Sequence, residues 1–254
     1  MQRLDSVYKS QIIRFMSAQS PRTLQGHVIR NLGLRIIKGD FQAGDRPVRE
    51  AELQEEFGTS RSVVREAVKT LSAKGLIESR QNSGIRVRPR YEWNLFDPDV
   101  LAWQFEPPVD SQAVLDLVVL RRMIEPTAAG LAARHASPEE AELLMNAVAA
   151  MRASADRLAN FNDADIAFHV ALFDATHNAY LARLGRAISS ALLGSFRISA
   201  TDPGRALAAA DKHQFVAEAI AQGDAEAATL RMSALIDQAA TDLSVVLQSP
   251  RAGR

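Results

Sequence analysis

Residues 44–87 constrain the fold of this chain more than any other stretch, because they contain two short helical patterns separated by a single turn. Apolar residues recur at helical spacing in both patterns, at Ala51, Leu53 and Phe57 in the first and at Val63, Val64, Ala67, Val68 and Leu71 in the second. Between the patterns, Gly58 permits a backbone with positive φ, and Ser60 offers a hydroxyl N-cap for the second helix. Two helices joined by so short a turn predict a helix-turn-helix.

The segment that follows the second helix predicts a small β-hairpin. Residues 76–79 and 85–88 have the composition of two short strands, and residues 81–84 form the polar tip between them. A hairpin placed directly after a helix-turn-helix is a wing. Residues 22–38 show apolar side chains at helical spacing and are predicted to be the first helix of the same winged domain.

Charge is distributed unevenly along a chain that is neutral overall, with 30 basic and 30 acidic residues. Residues 21–90 contain 14 Lys and Arg against 8 Asp and Glu, whereas residues 91–254 contain 13 against 21. A basic module attached to an acidic body indicates nucleic-acid binding. The alternative is that the basic residues merely form a solvated face, and the coincidence of charge, turn chemistry and wing argues against it.

The second helix has the side chains that a DNA-recognition helix needs. Its N-terminal end carries Ser60, Arg61, Ser62 and Arg65, and Lys69 lies one turn further on. Arg61 and Arg65 lie four residues apart and therefore share one helical face. Arginine binds guanine through two hydrogen bonds, while serine and the backbone N–H groups at a helix start bind phosphate. We therefore expect this helix to enter the major groove of double-stranded DNA with its N-terminus first.

Residues 44–87 resemble the winged helix of the GntR family of bacterial transcription regulators. The resemblance implies operator DNA as the partner and DNA contacts at the matching positions Ser60, Arg61, Arg65 and Gly84. The chain departs from the family where Val48 replaces a usual proline and Ala51 replaces an arginine that contacts DNA in some members. Arg49 is basic where the family commonly has a small residue, and we include it among the expected DNA contacts.

Composition divides the chain into five segments. They are an N-terminal extension (1–20), the winged helix-turn-helix domain (21–90), an aromatic linker (91–108), a helical domain (109–247) and a tail (248–254). The linker contains Trp93, Phe96, Trp103 and Phe105 in a chain with only 6% aromatic residues. So much aromatic area predicts hydrophobic docking of one domain on the other, with a lid over a binding pocket as the alternative.

Every pattern from Asp110 onward is helical. Asp110 is a predicted N-cap, and residues 137–140 (Ser-Pro-Glu-Glu) predict a capping box with proline at the first helical position. No strand pattern of period two occurs in this part, which predicts an all-α bundle of about six helices. The expected fold class is mostly α, with an N-terminal winged helix-turn-helix followed by this bundle.

The chain has no cysteine and no apolar run long enough for a membrane helix, so we expect a cytoplasmic protein without disulfides or a membrane partner.

Asp165 and His169 lie four residues apart on one face of a predicted helix, and His213 lies on a later helix. One carboxylate and two imidazoles brought together inside a helical bundle are ligands that a divalent metal accepts. Spacing by itself does not distinguish such a set from a coincidence.

The helical segments resemble the FCD domain, the ligand-sensing half of the FadR subfamily. The resemblance implies metal ligands at Asp165, His169 and His213, with a divalent ion such as zinc as cofactor, whereas a further histidine position is occupied by Leu235, which cannot ligate. It also implies that Arg121, four residues before Glu125, approaches the carboxylate of an organic-acid effector. The expected effector-binding residues are Arg121, Asn162, Asp165, His169, Ser189 and His213.

Both resemblances together imply a repressor of a sugar-acid operon that an aldonate such as galactonate releases from DNA. A uronate, lactate or a similar small carboxylate is the alternative effector. We expect a homodimer, because one winged helix covers only half of a two-fold operator.

There are two competing interpretations of the function. One is a metal-dependent hydrolase fused to a DNA-binding module, and the other is a structural DNA-binding protein without a ligand. The sequence shows no nucleophile motif and no general base beside the metal set, so we predict that the protein is not an enzyme.

Overall fold

The computed structural model describes residues 23–80, 83–107, 109–188 and 203–248. The chain forms two compact units, Met1–Val109 and Asp110–Arg254. The predicted N-terminal extension, most of the predicted tail and the effector-binding candidate Ser189 lie outside the described residues. None of the described helices is long and apolar enough to cross a membrane.

The first unit is a winged helix-turn-helix, as the sequence predicts. Its elements are α1 (Leu24–Ile37), α2 (Glu50–Phe57), α3 (Arg61–Ala73), β1 (Ile77–Arg80), β2 (Gly84–Val87), a 3-10 turn (Arg90–Glu92) and α4 (Pro98–Gln104). The two strands pair antiparallel, with Ile77 opposite Val87 and Arg80 opposite Gly84. An isolated bridge joins Val48 to Ile85 and attaches the start of the helix-turn-helix to the wing.

The turn between α2 and α3 has the predicted glycine but not the predicted cap. Gly58 adopts φ 56° and ψ 38°, the left-handed conformation that favours glycine, and its N–H closes the last turn of α2. Ser60 occupies the N-cap position of α3, but its side chain makes no capping hydrogen bond. The Ser60 hydroxyl lies instead 2.9 Å from the Ser62 hydroxyl. The predicted hydroxyl cap is therefore wrong, because a second hydroxyl in the first turn pairs with Ser60.

The aromatic linker packs on the winged-helix unit. Trp103 is buried, and its indole lies so close to Gly33 of α1 that a Cβ at residue 33 would collide with the ring. Lys74, which ends α3, donates to both carboxylate oxygens of Asp97 at 2.8 and 2.9 Å and lies 2.8 Å from Asp99. Phe96 remains 49% exposed, so only part of the predicted aromatic area is covered. The segment before the second unit is thus anchored to both α1 and α3.

The second unit is a bundle of helices. Its described elements are α5 (Ser111–His135), α6 (Pro138–Ala153), α7 (Leu158–Asp174), α8 (residues 179–188), α9 (Pro203–Ala221) and α10 (Ala225–Gln248). The predicted capping box is present, since the Ser137 hydroxyl accepts from the Glu140 N–H and the Glu140 carboxylate accepts from the Ser137 N–H. Long side chains such as Phe168, Leu172 and Met232 fill a core that is otherwise rich in alanine. Because alanine lets helices approach closely, polar groups of α5, α7 and α9 meet inside this core.

Candidate functional site

A basic concave surface lies between the N-terminal end of α3 and the wing, and we name it the basic groove. It is lined by Arg46, Pro47, Arg49, Glu50, Arg61, Arg65, Ser79, Ser83, Gly84 and Ile85. The side chains of Arg61 and Arg65 are 73% and 58% exposed, so both guanidiniums are accessible to a partner. Gly84 adopts φ 77°, and a Cβ there would lie 3.0 Å from Pro47 Cβ. A glycine therefore lets the second strand of the wing begin beside the groove.

The other predicted DNA contacts, Ser60, Ser62 and Lys69, do not line the basic groove. Lys69 lies farther along α3, and its ammonium donates to Glu66 Oε1 at 2.6 Å. Ser60 and Ser62 lie at the exposed start of α3 and bond to each other. Arg46, which was not among the predicted contacts, also lines the groove and pairs with both oxygens of Glu52 at 2.9 and 3.1 Å. Its position three residues before Arg49 is the sequence signal that could have identified it as a DNA contact.

Asp165, His169 and His213 meet inside the second unit, and we name them the Asp-His-His cluster. One ligand atom of each lies within 4.8 Å of the others, and all three residues are buried. His213 Nε2 is 3.0 Å from Asp165 Oδ1 and 3.4 Å from His169 Nε2. His169 Nε2 is 3.8 Å from Asp165 Oδ2. The two imidazole Nε2 atoms and the carboxylate of Asp165 thus converge on one small volume.

The Nδ1 atom of each imidazole faces a group outside the cluster. His213 Nδ1 lies 2.8 Å from the carbonyl oxygen of Ala209, which places the proton on Nδ1 and leaves Nε2 for the cluster. His169 Nδ1 lies 3.0 Å from Glu125 Oε2, but the ring N–H is not aligned for a hydrogen bond there. Glu125 accepts from Arg121 Nε at 2.5 Å and from Nη2 at 3.3 Å. Such outer partners orient histidines that bind metal.

Arg121 and the two imidazoles keep both carboxylates of this region ionised. Burial raises the pKa of Glu125, but the charge of Arg121, followed by the proximity of His169 and the hydrogen bonds from Arg121, lowers it to about 2. Burial also raises the pKa of Asp165, but the charge and hydrogen bond of His213, followed by the charges of His169 and Arg121, hold it below its usual value. An ionised carboxylate is the form that binds a metal.

The cluster fits a divalent metal on the chemistry of its donors. Asp165 Oδ2, which lies 3.8 Å from His169 Nε2, is buried and has no hydrogen-bond partner among the described residues. Two nitrogens and a carboxylate oxygen are the ligand types that zinc accepts. Leu235 of α10 lies at the same cavity and, as an apolar side chain, adds no ligand. Three protein ligands would leave coordination positions open to a small molecule.

A pocket adjoins the cluster, and we name it the α9/α10 pocket. Its volume is about 390 Å³. The pocket is lined by Arg121, Phe161, Asp165, His169, Arg205, Lys212, His213, Leu235, Gln238, Asp242 and neighbouring residues. Asn162, three residues before Asp165, is buried, and its Oδ1 has no hydrogen-bond partner among the described residues. It does not line this pocket. The polar residues Lys212, Gln238 and Asp242 were not predicted, because only tertiary packing shows that they line a cavity.

A winged helix with a basic groove, followed by a helical unit with a buried donor cluster and a pocket, defines a DNA-binding transcription regulator. Residues 24–87 match the model of the family described as bacterial regulatory proteins, gntR family, and residues 116–238 match the FCD domain. The chain belongs to the GntR family of bacterial transcription regulators and contains an FCD domain. Regulators of this family act by binding DNA, so the chain is not an enzyme.

Curated relatives agree with this assignment. The chain is 35% identical over 202 residues to the galactonate operon transcriptional repressor of Escherichia coli K12, covering 79% of this chain and 88% of that protein. It is 33% identical over 226 residues to the HTH-type transcriptional regulator YieP of the same organism, covering 87% and 97%. A solved structure associated with Lar, which controls the expression of the Listeria monocytogenes agr system, has a TM-score of 0.67 at 21% identity and covers 89% of this chain and 99% of that chain. That likeness supports the fold.

Proposed function

We propose that this protein represses a sugar-acid operon and that an aldonate, galactonate or a close relative, binds in the α9/α10 pocket and releases the operator. The pocket beside the Asp-His-His cluster is the observation that carries this proposal. It combines metal-binding donors with a second, polar wall. The 35% identity to a galactonate operon repressor supports the same class of effector.

The metal would be held by Asp165, His169 and His213, and zinc is the ion we propose. When bound, it would supply a Lewis acid that accepts a carboxylate or hydroxyl oxygen of the effector. The protein prepares this site in advance, since Glu125 lies behind His169 and the Ala209 carbonyl lies behind His213. Leu235 leaves the side of the site towards α10 without a ligand, which keeps that side open to the pocket.

We propose for Arg121 a role different from direct two-point binding of the effector carboxylate. Its Nε and Nη2 atoms bond to Glu125, and Nη2 also lies 3.4 Å from His169 Nε2. None of these contacts involves Nη1, and Arg121 lines the pocket. In this role Arg121 mainly positions Glu125 and offers only Nη1 to the effector. It therefore does not bind the effector carboxylate bidentately.

The far wall of the pocket supports a polyhydroxylated acid. Lys212 Nζ donates to Gln238 Oε1 at 3.1 Å, and Gln238 Nε2 donates to Asp242 Oδ1 at 3.1 Å. This row offers a cation, an amide and a carboxylate on two adjacent helices. A cation suits an acid group, whereas an amide and a carboxylate bind hydroxyls as donors and acceptors. An effector with several hydroxyls along its chain uses all three, and an apolar acyl chain uses none.

Release of DNA would be a population shift between two arrangements of the protein. An effector changes that equilibrium only if it binds one arrangement more tightly. A homodimer belongs to the same proposal, because a two-fold operator needs two winged helices. Light scattering on the protein alone and with operator duplex measures the assembly in both states.

Titration calorimetry tests the effector. Galactonate is expected to bind wild-type protein and to lower its affinity for an operator duplex, measured by fluorescence anisotropy. Lys212→Met should weaken galactonate binding, while Lys69→Met, which changes an exposed lysine of α3 that does not line the pocket, serves as the control for galactonate binding. If a uronate or lactate gives heat and galactonate gives none, the effector is that acid, and the proposal of an effector-responsive regulator stands. Absence of heat from every acid would contradict the proposal.

Zinc is expected to raise the melting temperature of metal-stripped protein. A ligand that binds only the folded state at about 100 times its Kd stabilises it by about 2.7 kcal/mol. His213→Ala removes one ligand and should abolish this shift. His135→Ala is the matched control, because His135 is exposed near the end of α5 and its Nδ1 bonds to the Thr176 carbonyl instead. An undiminished shift in His213→Ala would remove the cluster as the metal site.

A further inference from the structure

One acidic residue lies in the basic groove. Glu50 is the first residue of α2, and its carboxylate lies among the arginines that sequence and family indicate for DNA. Glu50 Oε2 is 3.5 Å from Arg61 Nε, and Glu50 Oε1 is 3.8 Å from Arg65 Nε. One carboxylate therefore lies close to two guanidiniums, one for each oxygen. The Glu50 side chain is 30% exposed, so it faces the groove without being covered.

We propose that Glu50 is a specificity-determining residue for DNA, because it holds Arg61 and Arg65 in the free protein and must be displaced before they bind. Its two oxygens give the two arginines acceptors of the kind that DNA would offer. Guanine offers O6 and N7 as a paired acceptor that an arginine binds bidentately. A non-matching base offers no such pair, so the arginines gain less by leaving Glu50.

Glu50 also acts on the phosphates. A negative charge inside the groove repels the backbone of every DNA, matched or not, and this cost is the same for all sequences. Only a matched operator supplies base contacts that offset it. Like-charge repulsion of this kind suppresses wrong partners more than right ones. The carboxylate therefore lowers non-specific binding and raises the ratio of specific to non-specific affinity.

A purely structural role for Glu50 makes a different prediction. An acidic residue in the first turn of α2 interacts favourably with the helix dipole, and its removal then lowers stability without changing how DNA sequences are ranked. The two roles separate in an experiment that measures the affinity ratio together with the melting temperature.

The test uses Glu50→Gln, which keeps the shape of the side chain and removes its charge. A duplex selected by wild-type protein from a random library serves as the operator, and a scrambled duplex of equal composition serves as the non-specific probe. Fluorescence anisotropy gives both affinities over a range of salt concentrations. Glu55→Gln is the matched control, because Glu55 is exposed on the same helix and does not line the groove.

Glu50→Gln is expected to bind the scrambled duplex about threefold to tenfold more tightly than wild type, as expected for losing weak ion pairs and a repulsive charge. The operator affinity should rise by less, so that the specificity ratio falls while the control leaves it unchanged. The salt dependence of scrambled-duplex binding should steepen, because more counterions are released. Equal affinities in both proteins, or an equal loss on both duplexes with a lower melting temperature, would overturn the proposal.

Discussion

Replacing Arg121 with methionine is expected to lower the free energy of unfolding by about 3–5 kcal/mol, because it leaves a buried carboxylate without its cation. Glu125 is fully buried and Arg121 is 3% exposed, so water does not compensate the loss. Urea denaturation followed by circular dichroism measures the change. The adjacent Arg122→Met is the matched control. Arg122 pairs with Asp237 at the surface, with side chains 50% and 62% exposed, and its loss should cost below about 1 kcal/mol.

Acid titration of stability tests the same pair independently. The pKa of Glu125 lies at about 2 in the folded protein and at 4.5 for the unperturbed group, so ionised Glu125 stabilises the fold. That stabilisation is complete above pH 4.5 and is lost as the pH falls from there towards 2. Arg121→Met should lose less stability over this interval than wild type does. Equal urea midpoints for Arg121→Met and Arg122→Met, with equal acid dependence, would contradict the assigned role of the pair.

Arg65→Ala is expected to weaken operator binding by about 1–3 kcal/mol and to leave the melting temperature unchanged. The Arg65 side chain is 58% exposed in the basic groove, so its loss removes a contact with a partner and no packing of the core. Arg61→Ala should act similarly, since the Arg61 side chain is 73% exposed on the same helical face. Fluorescence anisotropy on the selected operator duplex measures both variants.

The pattern of the loss also assigns the contact. A loss that is equal on operator and scrambled duplexes, with a salt slope reduced by about 1, indicates a phosphate contact. A loss confined to the operator indicates a base contact. Arg134→Ala, an exposed arginine near the end of α5, should bind both duplexes like wild type. Unchanged operator affinity in both Arg61→Ala and Arg65→Ala would remove this face of α3 from the interface.

The sequence by itself determined the elements that depend on local signals. Helical spacing, Gly58 at the turn and the strand composition after α3 predicted the winged helix-turn-helix, and the structure confirms it. The capping box at Ser137 and Glu140 was predictable because both hydrogen bonds join residues three apart. The spacing of Asp165 and His169 was predictive for the same reason, since residues four apart share a helical face.

Tertiary structure decided which distant groups meet. His213 joins Asp165 only because α9 packs against α7, and no spacing along the chain contains that information. The same packing places Lys212, Gln238 and Asp242 around one pocket. Arg121 shows the difference clearly, because its sequence pattern suits an external carboxylate, whereas its burial commits two of its nitrogens to Glu125. Glu50 reaches Arg61 and Arg65 through the crossing of α2 and α3, so its charge acquires a role in DNA selection only in the folded chain.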